Sequence, residues 1–170
     1  MTRVSKIFFL IALIISSCAT VGTEIKRDGR YILLSNGVVR DVKTRLEWLA
    51  GPDQDLNWFE AKTWIATTRS KYGGGWRMPS RNELSTLYVK GAGTRNMTPF
   101  IISTGWEMWT NETWHKTHAW LYSFLEGKIK VFDKDYPYFR RVLAVRTYYN
   151  LQFQDDRSSL ASCEQLRYLF

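Results

Sequence analysis

Apolar positions along the chain change period several times, and each change predicts an element. Residues 7–15 (IFFLIALII) form an almost unbroken apolar run behind Arg3 and Lys6, and the stretch from Thr20 to Arg27 is polar. Tyr31 to Leu34 (YILL), Val38 to Val42 (VVRDV) and Leu46 to Leu49 (LEWL) are short runs bounded by turn residues. They predict a three-stranded meander, with Leu46 and Trp48 on one face. Asn36-Gly37 supplies the first hairpin turn, since both residue types tolerate positive φ. Trp58, Ala61, Trp64, Ile65 and Thr68 then recur every three or four residues, which predicts a helix ending near Tyr72, where the glycines stop it. Asn57 and Glu60 form a capping-box pattern at its start. A second box, Ser80 with Glu83, opens a shorter helix striped by Leu84, Leu87 and Tyr88, and Pro79 precedes its cap, where a missing N–H costs nothing. Glu107 to Thr110, Ala119 to Leu125, Lys128 to Phe132 and Arg141 to Thr147 read as antiparallel strands, with Glu126-Gly127 as a hairpin turn. A meander, two helices and then a sheet make an α+β domain.

The chain has 170 residues, 45% hydrophobic and 15% aromatic, which suits one domain with a real core and excludes a disordered protein. The cations, the apolar run and the small residues after it predict a secretion signal over residues 1–17. The site ISSC (Ile15 to Cys18) resembles a bacterial lipobox. That resemblance implies a lipidated Cys18, a membrane anchor, and, with Ala19 next, an outer-membrane lipoprotein of the bacterial cell envelope, on the periplasmic or the surface face. The alternative is ordinary signal cleavage with Cys18 a free thiol. Cys163 is the only other cysteine, so an acylated Cys18 leaves no intramolecular disulfide. The expected organisation is a tether over 18–27, a domain over 28–147 and an extension over 148–170. The net charge is +8, and losing Arg3 and Lys6 with the leader leaves about +6. Such a balance favours anionic partners, acidic polysaccharide or lipid head groups, or is simply a solvated basic face. Nothing reads as a nucleic-acid module.

Four motifs stand in order: VVRDVKTRLEW, NWFEAKTW, GGGWRMPSRNELSTLY, and a tryptophan-rich strand pair ending in RRVLAVR. Together they resemble the Lcl C-terminal domain family, over about residues 28–147. Its pattern is carried here by Asp41, Thr44, Leu46 and Trp48, by Trp58 and Ala61, and by the corner Gly74, Gly75, Trp76, Arg77, Pro79, Ser80, Glu83 and Leu84. Two departures show: Arg45 stands where glycine is usual, and Trp109 to Glu112 replaces a run of small residues. The resemblance implies a C-type-lectin-like fold, related to formylglycine-generating enzymes, in which two helices flank a twisted antiparallel sheet with long loops.

Candidate chemistry is sparse. The corner GGGWRMPS lacks the lysine of a phosphate-binding loop, so it reads as a helix entry in which Trp76 buries and Arg77 pairs with an acid or caps carbonyls. His115 and His118 are a weak zinc pattern, and exposed loop histidines are the default. Asp133 and Asp135 with loop carbonyls are weak calcium ligands, opposed by Lys134, Arg140 and Arg141, and no cofactor is called for. The formylglycine-generating relatives use a late cysteine pair, which Cys163 alone does not supply. Trp106, Trp109, Trp114 and Trp120 crowd one segment. Some belong to the core, and any left on a loop offer a platform for sugar rings or an anchor for a protein. With Lys116, Lys128, Lys130 and Arg140 they suggest a site for an anionic polysaccharide. The expectation is therefore a non-catalytic binding or adhesion domain on an envelope lipoprotein. The alternatives are an assembly lipoprotein that docks an envelope protein, and an enzyme of the formylglycine-generating group.

Overall fold

The computed structural model describes residues 22–148. The leader, Cys18 and its lipidation, and Cys163 with the rest of the extension past Tyr148 lie outside these residues. Order begins earlier than expected. Strand β1 (Glu24–Asp28) occupies part of the stretch read as a tether, with all five residues exposed. Its polar sequence hides it from a periodicity reading, because what holds it is backbone pairing to β2 (Tyr31–Leu34). β3 (Val39–Asp41) and β4 (Leu46–Ala50) complete the meander.

The turn between β2 and β3 differs from the expected hairpin. Only Gly37 takes positive φ, at 83°. Asn36 instead accepts from Val38 N with its Oδ1, while Gly37 N donates to Leu34 O. Helix α1 (Trp58–Tyr72) starts at a complete capping box on Asn57 and Glu60. Helix α2 (Arg81–Leu87) starts at the Ser80–Glu83 box. β5 (Glu107–Thr113), β6 (His118–Ser123) and β7 (Lys128–Asp133) form the second meander. The closing strand is broken into β8 (Arg140–Arg141) and β9 (Leu143–Thr147). Val142 between them accepts from Gly51 N, so the chain switches there from one sheet to the other.

The α+β class holds, with the expected sheet split in two. One has the order β1-β2-β3-β4-β9 and is antiparallel throughout; the other has the order β7-β6-β5-β8, with β5 and β8 parallel. Alternate residues of each strand enter two cores. On one side α1 packs Trp58, Ala61 and Ile65 against Leu49, Trp109, Leu121 and Ala144. On the other, α2 packs Leu84 and Leu87 against Leu46, Trp48, Met108 and Val145. Trp48, Trp76 and Trp109 are all fully buried. Each removes on the order of 200 Å² from water, about 5 kcal/mol at the usual coefficient.

Ion pairs tie the elements at the corner. Arg77 holds Glu83 through two nitrogens, at 2.8 and 2.5 Å. Glu47, 2% exposed, accepts from Arg40 at 2.7 Å and Arg146 at 2.8 Å. Arg146 also donates to Tyr72 O, at the end of α1, and lies 4.4 Å over the Trp76 ring. Gly75, at φ 86°, lets the chain pass beside the Arg146 side chain. Within GGGWRMPS, then, Trp76 is buried and Arg77 is paired with an acid, Glu83.

Candidate functional site

A cleft of about 760 Å³ opens beside the second sheet, where loops from four parts of the chain meet. Glu107 begins β5 and sits opposite Arg140 of β8. Its carboxylate receives Lys130 Nζ at 3.3 Å and the Arg140 guanidinium at 3.4 Å. Lys130 also pairs with Glu126 from the β6–β7 turn. Arg140 is 3% exposed, packed 3.9 Å over Phe132 and 4.7 Å over Tyr136. Burial holds its pKa below the usual arginine value. The neighbouring Arg141 donates to Asp53 Oδ1 at 3.0 Å, to Asp55, and to Thr104 Oγ1 at 2.9 Å. It fastens the loop before α1 to the loop before β5. Gly105 is required beneath it, because a Cβ there would stand 2.5 Å from Arg141 Cγ. Asp53 is held below its usual pKa, first by the Thr104 N–H and then by Arg141. Asp55 is lowered chiefly by its hydrogen bond from Arg141.

The mouth of the cleft is aromatic. Tyr136 and Phe139 form a lip, with Tyr138 edge-on against Tyr136 outside the lining, and Phe139 is 76% exposed. Phe139 also takes φ 61°, a left-handed conformation that costs a bulky residue about 1–2 kcal/mol. Tyr136 is stacked on Phe132 with 24° between the rings. Trp106 and exposed Leu125 complete the wall, and Arg95 covers Trp106 at 4.6 Å. Arg140 Nε and Ser123 Oγ, beneath the surface of two lining residues, have no hydrogen-bond partner among the described residues.

The cleft gathers only part of the residue set expected from the sequence. Trp106, Lys130 and Arg140 line it. Trp109 does not fit its expected ligand role: it is fully buried, and its Nε1 donates to Leu56 O at 2.8 Å. Trp114 is exposed at the β5–β6 tip, against His115, His118 and Trp120, outside the cleft. Lys116 and Lys128 are exposed and also outside the lining.

The expected basic patch does not form at this site. Three cations, Lys130, Arg140 and Arg141, face four carboxylates, Asp53, Asp55, Glu107 and Glu126. At the loop proposed for calcium, Asp133 Oδ1 accepts from Asp135 N, and the Lys134 ammonium takes the carbonyls of His115 and Lys116 at 3.0 and 2.8 Å. Among the described residues no group of three His, Cys, Asp or Glu is placed to hold a metal. Sequence reasoning missed Phe139 and Tyr136, while it places Arg141 beside the basic patch. Their one signal was an aromatic run, Tyr136 to Phe139, directly ahead of two arginines.

A family model described as the Lcl C-terminal domain matches residues 37–146. No curated protein matches the chain. Among solved structures, that of PvdO from Pseudomonas aeruginosa is similar with a TM-score of 0.44 at 9% identity, covering 81% of this chain and 76% of that one.

Proposed function

The chain belongs to the Lcl C-terminal domain family, and on that premise we propose that it is a non-catalytic, saccharide-binding protein of the bacterial envelope, carried on a lipid anchor at Cys18. The observation that carries the reading is the aromatic-lipped cleft with polar side chains on its lining. Sugar rings present apolar faces that stack on aromatic side chains, and hydroxyls that need fixed donors and acceptors. Tyr136 and Phe139 offer the faces. Thr104, Glu107 and Lys130 on its lining offer hydroxyl, carboxylate and ammonium groups to the hydroxyls of a sugar. Because the cations of the cleft are already paired with carboxylates, neutral hydroxyls suit it better than a polyanion.

A glycan array run at low and at moderate salt tests this, with the full chain in detergent. Binding to neutral saccharides that survives salt, and falls at least tenfold in Phe139→Ala, supports the reading. Wild-type levels of binding in that variant would remove the cleft from it. Palmitate labelling that persists in Cys18→Ser would remove the anchor.

The second reading, an assembly lipoprotein, draws on the same exposed lip, since Phe139 and Leu125 also suit an apolar protein partner. Crosslinking from position 139 to one abundant envelope protein, with no glycan bound, would favour it.

A further inference from the structure

A second cleft, of about 320 Å³, opens where α1 meets the glycine-rich corner. Its floor is apolar, made by Trp58, Ile65, Trp76 and Met78, all buried in the core. Along α1, Lys62, Ala66 and Arg69 follow one another at spacings of four and three, so they share the helical face above that floor. All three are exposed. Lys62 Nζ stands 4.6 Å over the Trp58 ring. Asn111 closes the opposite side, its backbone N–H fixed to Pro79 O at 2.9 Å.

The electrostatics are the reverse of those in the saccharide cleft. No carboxylate lines this one. Arg77 at the rim is neutralised by Glu83. Among the described residues no ion pair involves Lys62 or Arg69. Two uncompensated cations thus overhang an aromatic and aliphatic floor. A side chain's worth of helix separates them, about 10 Å along the axis, within reach of two long flexible cations converging on one anion. An apolar body has surface to bury against Ile65 and Met78 and the edges of the indoles, and its charge has two cations that no carboxylate neutralises among the described residues.

We propose that this cleft binds a small anion with a flat apolar body, of the aromatic carboxylate class. The ring lies along the floor, and the carboxylate is held by Lys62 and Arg69. The site is independent of the saccharide cleft and of the function assigned to it.

Calorimetry on the full chain in detergent tests this, comparing naphthoate with uncharged naphthylmethanol, which has nearly the same shape. Naphthoate is expected to bind at least tenfold more tightly, and the advantage to shrink as ionic strength rises. The double variant Lys62→Gln/Arg69→Gln is expected to lose that tenfold advantage while still binding the alcohol. Ala66→Phe, which fills the cleft from an exposed helical position, is expected to lose both probes. Thermal unfolding of each variant checks that the fold is kept. Equal affinity for the two probes, an unchanged naphthoate affinity in the double variant, or no naphthoate binding at millimolar concentration would each overturn the proposal.

Discussion

Arg45 stands where the family's motif has glycine, and it takes φ 57° in the turn between β3 and β4. A side chain there costs about 1 kcal/mol. Arg45 is exposed, so Arg45→Gly is expected to raise stability by about 0.5 kcal/mol in urea unfolding, the relieved strain being partly offset by the freer unfolded chain. Phe139 carries the same strain with a different consequence. Phe139→Gly is expected to hold or raise the unfolding midpoint while saccharide binding falls, a split that a purely structural phenylalanine would not show. Asp41 explains its place in the motif: fully buried, it accepts from Lys43 N and Thr44 N and so shapes the turn that Arg45 strains. The Asp41–Thr44–Leu46–Trp48 spacing was readable in the sequence because turn chemistry is local. The fates of Trp106, Trp109 and Trp114 were not. Which of three tryptophans in one segment is buried depends on the chain that packs over them, here Leu56 and α1 for Trp109.

Helix boundaries followed their local signals closely. Both capping boxes form, on Asn57 and on Ser80. Ser80→Ala is expected to cost about 1 kcal/mol, because it strips Glu83 N of its cap and frees one of the partners of Glu83. Strand boundaries were less legible. β1 is polar and β8 is two residues long, and neither makes a pattern that sequence alone can display. The tie between elements at Arg146 is tertiary as well. It joins β9 to Glu47 of β4, to the last turn of α1 and to Trp76. Arg146→Ala is expected to cost about 3 kcal/mol in chemical unfolding, since Glu47 stays buried with one guanidinium fewer.

The distribution of charge sets the expected response of the protein to acid. Asp53, Asp55 and Glu83 all have folded pKa values below their ordinary ones. For Asp53 the first cause is the Thr104 N–H, and for Asp55 it is Arg141. For Glu83 burial pushes upward, but Arg77 and Ser80 outweigh it. In each case the unfolded chain takes up protons first as pH falls. The stability they contribute is therefore full above the ordinary carboxylate range and is lost below about pH 4, as the folded values are approached. Unfolding midpoints across that range are expected to fall with pH, and to fall less steeply in Asp53→Asn/Asp55→Asn. The surplus of positive charge that composition announced is not left free on the lining of the larger cleft, where Lys130, Arg140 and Arg141 are each paired with carboxylates. Two uncompensated cations stand instead over the smaller cleft beside α1.

Sequence alone determined the features that rest on neighbours along the chain. These are the α+β order of elements, the two capped helices, the corner from Gly74 to Leu84 and the family they identify. Capping, turn formation and hydrophobic periodicity act over a few residues, so they are written where they operate. Tertiary structure decided the rest. It split the sheet at Val142, buried Trp109, paired Arg140 with Glu107 and brought the Tyr136–Phe139 lip into one cleft with Trp106 and Lys130. Burial and charge compensation depend on residues that are remote in sequence and close in space. A count of tryptophans and lysines could therefore suggest a binding protein, but could not say which of them line a cleft.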